Sequence, residues 1–325
     1  MRVAVTGAGG FVGSALVAAL LEPEGGRGLP HLRELVAVDT ALPDYDDARV
    51  VRAEGDLADP VFRAGLLEEP FDTMFHIAAI PGGATTRDPG LGWRVNVEST
   101  LALLDGLAAQ KAPARLVFSS SIGVFGVPLP ADKVDDDTLP LPTMSYGAHK
   151  LIGETLIADY ARRGLVDGLA PRLPGIIARP RVMGGHLSAY MSDILHAMAA
   201  GEEFLCPVSR QATGWFMSRA CCVGNLLHAA SLPRSADLPR RAFNLPALHL
   251  SMAELIAGAE AHFGQSAGGR VRFEPDAALE AQFGAYPPLA TPIADRLGFC
   301  HDGDAPTLVA RALGLATAPQ TASAI

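Results

Sequence analysis

The chain has 325 residues, 49% of them apolar and 19% charged, the composition of a globular protein with a substantial core. A net charge of −9 and the lack of any long Lys/Arg run speak against nucleic acid or an anionic membrane surface as partner. No apolar run approaches the ~18 residues of a membrane span. "MRVAVTGAGGFVG" enters a strand-like run at once, without a cleavable leader pattern, so a cytoplasmic location is expected. Cys206, Cys221, Cys222 and Cys300 lack C-x-x-C spacing; they read as reduced, mostly buried thiols, and no metal is expected.

In chain order, strands are expected at 2–7, 34–39, 49–56, 73–79, 115–120 and 171–178. Helices are expected between them at Phe11–Leu21, Pro60–Leu67, Leu91–Gln110 and Ser145–Arg163. Short apolar runs alternating with helices predict an α/β fold: a doubly wound parallel sheet of Rossmann type over residues 1–180. Beyond 180 the pattern breaks into shorter Pro/Gly/Ala-rich pieces, with helices expected at 187–200, 219–231, 251–263 and 304–315. Residues 181–325 therefore read as a smaller substrate lobe, interleaved with the first domain, whose last residues fray.

"VTGAGGFVG" places Gly7, Gly10 and Gly13 directly after a strand and ahead of an apolar helix. Such a loop turns tightly and brings backbone N–H groups and a helix N-terminus, here at Phe11 and Val12, against a pyrophosphate. Asp39 ends the second strand, 32 residues beyond Gly7 rather than the usual ~20, with "EPEGGRGLPH" read as an inserted loop. A carboxylate there accepts from both ribose hydroxyls and repels a 2′-phosphate; with no arginine in "TALPDYDD", it selects NAD over NADP. In "GDLADP", the Asp56 side chain and the Leu57 backbone N–H are placed to grip adenine.

"PTMSYGAHK" sets Tyr146 and Lys150 four residues apart, on one helical face. A phenol's ordinary pKa near 10 is too high for a base at neutral pH; a neighbouring ammonium and an oxidised nicotinamide both favour the phenolate.

The glycine loop, "HIAA" (76–79), "VFSSSIGVFG" (117–126) and "SYGAHK" together resemble the extended short-chain dehydrogenase/reductase family, strongly over about residues 1–180. The resemblance implies a Ser–Tyr–Lys group made of Ser121, Tyr146 and Lys150, with Tyr146 25 residues beyond Ser121 (121 to 146). Tyr146 is then the base, Ser121 the hydrogen-bond partner of the reacting oxygen, and Lys150 the holder of the tyrosine's charge state and of the nicotinamide ribose. It further implies cofactor contacts at Ala78, Ala79, Ser119 and Leu173, and a structural or cofactor-adjacent Asn96. Ser120 reads as a strand-end hydroxyl and His149 as a surface residue. A homodimer pairing helices 91–110 and 145–163 is implied by the resemblance alone.

Epimerases and dehydratases of nucleotide sugars in this family carry a diphosphate-gripping arginine; "TGWFMSRA" has Thr213 at that place, and "PRLPG" has Pro174 and Gly175 where those enzymes show an aromatic–Asn pair. Longer stretches, including "VDDDTLPLPTMSYGAHKLIGETLIADYARRGLVDG" and "RLPGIIARP", resemble the D-erythronate 2-dehydrogenase branch, which oxidises the 2-hydroxyl of a four-carbon sugar acid. "RVMGGHLSA" (181–189) departs from that branch's polar loop and leaves a bulkier or less polar acid open. For the carboxylate, Arg179 is the first candidate, then Arg210 and Arg181; Trp215 and Met217 read as lobe packing. The expected activity is NAD-dependent oxidation of a small hydroxy acid. The alternatives are a nucleotide-sugar epimerase that retains NAD and a non-catalytic dinucleotide sensor.

Overall fold

A computed structural model describes residues 1–23, 29, 31–181, 188–234, 238 and 240–315. Its main sheet contains β1 (Arg2–Thr6), β2 (Glu34–Asp39), β3 (Val50–Glu54), β4 (Thr73–His76), β5 (Arg115–Phe118), β6 (Ser120–Ser121) and β7 (Asp167–Leu173). All pair in parallel, in the order β3-β2-β1-β4-β5-β7, and the strand Ala242–Asn244 adds itself outside β7. The order reverses between β1 and β4, the point at which such sheets open a crevice beyond their C-terminal tips. In register, Thr6 faces Val38 and His76, and His76 faces Phe118, so the tips end together along one rim.

Alternation of side chains across β1 explains the two faces. Val3 and Val5 point to a core shared with α1 (Phe11–Leu21) and the helix Arg219–Ser231. Ala4 points to the opposite core, filled from α5 (Ser99–Ala108) and α6 (Ser145–Arg162), with α2 (Pro60–Leu66) at its edge. A third core joins the helices Tyr190–Ala200, Met252–Phe263 and Ala305–Leu313 in the lobe. Beside it lies a three-stranded sheet of Gly175–Ile176, Thr213–Met217 and Leu248–Ser251.

Two expectations are corrected. The sixth strand runs over Asp167–Leu173 rather than 171–178; the chain breaks at Pro174, which has no N–H to donate, and Gly175–Ile176 pairs with the lobe strand instead. The helix expected over 91–110 begins earlier: after the short α3 (Gly82–Arg87), Asp88 caps α4 (Pro89–Trp93), and the chain passes through a π-helical turn at Arg94–Glu98 before α5. The remaining helices follow the sequence signals: Ser251 and Glu254 form a capping box, and Asp304 caps Ala305–Leu313. The start of the helix expected at 187 lies outside the described residues. Cys206, Cys221 and Cys222 are buried free thiols, and Cys300 is exposed.

Candidate active site

A cleft of about 570 Å³ opens at the sheet's reversal point, lined by Gly7, Gly10, Phe11, Val12 and Gly13 on one side. Gly7 adopts φ +75°, and a Cβ on Gly13 would lie 1.9 Å from the Gly7 carbonyl. Only glycines permit that approach. α1 starts at Gly10 with no side-chain cap and no acidic residue in its first turn, which leaves its first N–H groups for an anion. Asp39 lines the same cleft; its Oδ2 accepts from Gly9 N–H at 3.0 Å and its Oδ1 from Thr40 N–H at 2.7 Å. Asp56 and Leu57 close the far end, with Asp56 Oδ1 also accepting from Ala58 N–H. The donor set and the glycine cradle fit a dinucleotide.

The cleft floor is Ile77–Ile80, and a buried network fixes it. Thr100 Oγ1 donates to the Asn96 carbonyl, so it accepts from His76 Nε2–H at 2.9 Å; His76 Nδ1 is left to accept from Thr6 Oγ1 at 2.7 Å. The Asn96 amide meets Ile80 twice, accepting from its N–H (2.7 Å) and donating to its carbonyl (3.0 Å). Asn96 thus reaches the loop through Ile80 and does not line the cleft. Burial holds His76 neutral, its pKa lowered to about 3.

Ser119, Ser121, Tyr146 and Leu173 meet at the inner end of the cleft. A Cβ on Gly147 would lie 1.9 Å from the Gly123 carbonyl, so glycine there lets α6 press against the turn after Ser121. Burial raises the Tyr146 phenol, with Arg179 and then Ser121 pulling the other way, and Ser121 Oγ accepts from Gly123 N–H at 3.0 Å. Ser119 donates to the His76 carbonyl at 3.2 Å, and Ser120 to Glu154 at 2.5 Å.

Lys150 departs from expectation. Its Nζ lies 4.5 Å from the Phe118 ring centroid and 5.7 Å from that of Tyr146, and only 2% of the residue is exposed. The nearest acid on its helix face, Glu154, is engaged by Arg172 through two 2.8 Å bonds and by Ser120. Burial without a close counter-ion lowers Lys150 to about 7, with Glu154 pulling the other way. The cation that lowers Tyr146, against the larger upward push of burial, is Arg179 rather than Lys150.

Arg179 lines the dinucleotide cleft and a second cavity of about 190 Å³ that continues from Ser121 and Tyr146 into the lobe. Ala178, just before it, holds φ 58°, the one positive φ outside glycine among the described residues. That strained turn directs the chain so that Arg179 Nε donates to the Ile176 carbonyl at 3.0 Å. No carboxylate pairs with Arg179 among the described residues. The structure does not bring Arg181 or Arg210 to either cavity: Arg181 is exposed and paired with Glu202 at 2.7 Å, and Arg210 is exposed. His149 is buried, not on the surface, because Trp93 packs edge-on against it and Asn96 Nδ2 lies 3.3 Å from its Nδ1. Residues 182–187 of the departing loop lie outside the described residues. Trp215, read as packing, does pack at 1% exposure, yet it also lines the second cavity with Met144, Phe283 and Tyr286. Nothing in the sequence marked Tyr286. The Lys150–Glu154 spacing of four was the available signal for an acid on the lysine's face.

Residues 3–214 match the NAD dependent epimerase/dehydratase family, and the chain belongs to it. It is therefore an NAD-dependent enzyme. It is 35% identical over 295 residues to the D-erythronate dehydrogenase of Cupriavidus necator, covering 88% of this chain and 90% of that protein. To the D-erythronate dehydrogenase of Haemophilus influenzae it is 32% identical over 292 residues, again with 88% and 90% coverage. A crystal structure described as a nucleoside-diphosphate-sugar epimerase from Agrobacterium tumefaciens superposes with a TM-score of 0.87 at 31% identity, over 95% of this chain and 92% of that one.

Proposed function

We propose that the protein oxidises a secondary hydroxyl of a small polyhydroxy acid of the D-erythronate kind. The observation that carries this reading is the meeting of Ser121, Tyr146 and Arg179 around one small cavity beside the dinucleotide cleft. When bound, NAD supplies the hydride acceptor and a positively charged ring. Tyr146 takes the proton of the reacting hydroxyl, and Ser121 hydrogen-bonds the same oxygen as alcohol and as carbonyl. Arg179 grips the carboxylate and stabilises the phenolate. Lys150, a buried amine without a close counter-ion, reaches toward the nicotinamide ribose. Gly7, Gly10, Phe11, Val12 and Gly13 hold the pyrophosphate, Asp39 the adenosine ribose, and Asp56 and Leu57 the adenine. Ala78, Ala79, Ser119 and Leu173 complete the cofactor contacts.

In this reading residues 1–180 bind NAD and residues 181–325 shape the substrate pocket. The protein acts in the cytoplasm as a homodimer; exposed Leu101 on α5 and Trp93 just before it supply apolar surface for that pairing. Among the described residues no helix is long and apolar enough to cross a membrane.

The description of the Agrobacterium structure as an epimerase favours a second reading, a nucleotide-sugar enzyme with retained NAD. Against it stands Thr213, whose hydroxyl donates to the Tyr286 carbonyl at 2.8 Å where those enzymes place a diphosphate-binding arginine. Leaving a buried diphosphate without its cation costs several kcal/mol. Following NADH absorbance with NAD and a panel of aldonic and 2-hydroxy acids decides between them. NADH formed from D-erythronate supports the first; no NADH from any acid, with epimerisation of a nucleotide sugar, establishes the second.

A further inference from the structure

The 190 Å³ cavity is small beside the ~300–1,000 Å³ of pockets for drug-sized ligands, and much of its wall is apolar: Met144 before α6, and Met191, Trp215 and Phe283 from the lobe. Polar groups on this wall are mostly engaged within the protein. Trp215 Nε1–H donates to the Pro287 carbonyl at 2.7 Å, and the Thr86 hydroxyl to the Gly82 carbonyl at 3.0 Å.

Tyr286 is different. Its carbonyl is clamped by Thr213 Oγ1 at 2.8 Å and His249 Nε2 at 2.7 Å, and its ring stands edge-on to Trp215 with centroids 4.8 Å apart. The backbone and the ring are therefore each held. Its hydroxyl has no hydrogen-bond partner among the described residues, and burial pushes it up to about 12, so it keeps its proton throughout the neutral range. Tyr286 is half-buried and lines the cavity, and its hydroxyl is not sealed from solvent, so that hydroxyl is free to bond a ligand at no cost to the fold.

We infer that Tyr286 is a specificity-determining residue: its hydroxyl bonds a hydroxyl on the substrate carbons beyond the reacting one, while Arg179 holds the carboxylate at the other end. The inference rests on the hydroxy-acid reading above and extends it, since the cavity then prefers polyhydroxy acids to alkyl ones. A substrate without the distal hydroxyl leaves Tyr286 unmet, and sites built on such a bond discriminate strongly.

The test compares D-erythronate with 2-hydroxybutyrate of the same configuration at carbon 2, an acid of equal length without the distal hydroxyls. In Tyr286→Phe the ratio of kcat/KM for the two should fall at least about fivefold, mainly through a higher KM for D-erythronate, for one lost neutral hydrogen bond. The melting temperature should hold. An unchanged ratio, or a lower melting temperature with both acids affected alike, makes the hydroxyl structural and overturns the inference alone. If the unmutated protein oxidises neither acid nor any other in the panel, the function proposed above falls, and this inference with it.

Discussion

Arg179 and Tyr146 line one cavity, where burial raises the phenol and lowers the guanidinium, and each group opposes the other's shift. Removing the cation therefore raises the phenol further, and the basic form becomes available only at higher pH. Arg179→Met should move the rise of kcat/KM with pH toward alkali and raise KM for the acid roughly 10- to 100-fold, the scale of a charge-assisted hydrogen bond. A pH profile superimposable on that of the unmutated enzyme would falsify the coupling.

Tyr146→Phe keeps the ring beside Gly123 and removes the hydroxyl. Turnover should drop ~10²-fold or more, the usual worth of a positioned base, while NAD titrated by fluorescence quenching binds as before. Full activity in this variant sinks the base assignment.

The Asp39 carboxylate accepts from Gly9 N–H, Thr40 N–H and, at 3.3 Å, the Thr40 hydroxyl; rotating that hydroxyl away leaves acceptor sites for two ribose hydroxyls. Asp39→Asn should raise KM for NAD and narrow its advantage over NADP, since the repulsion of a 2′-phosphate disappears. Preference for NADP in the unmutated protein contradicts the argument at its root.

His76 titrates at about 3 when folded, against an ordinary 6.5. Between those values the unfolded chain binds more protons, so stability falls as pH drops through the window, by up to ~1.4 kcal/mol for each pH unit crossed. Urea midpoints should decline from pH 6.5 downward, and His76→Gln, less stable at pH 7, should show a shallower decline. Equal slopes in the two proteins assign acid sensitivity to other groups.

The glycine loop, the Asp39 tip and the Ser121–Tyr146 interval were legible because each depends on local geometry: a turn, a strand end, a helix face. The sixth strand was not. "DGLAP" holds glycine and proline where a strand favours β-branched residues, and it is made extended by its neighbours, β5 on one side and Ala242–Asn244 on the other. The apolar "GIIA" that drew the expectation belongs instead to the lobe. Arg179 and Arg181 are two residues apart and indistinguishable by type; the left-handed turn at Ala178 and the Glu202 partner separate them. Lys150 lies where its spacing put it, yet its counter-ion had been claimed by Arg172, a pairing set by tertiary packing.

The chain leaves the lobe after Met217, lays Arg219–Ser231 under the main sheet and adds Ala242–Asn244 to its edge. Arg115 fastens this excursion by donating to the carbonyls of Ala229, Ala230 and Leu232. Cutting the gene at the boundary near 180 would thus strip a face and an edge from the nucleotide half and strand both fragments. Engineers wishing to retarget such an enzyme gain nothing from swapping halves between relatives; the workable route is to exchange single side chains around the small chamber.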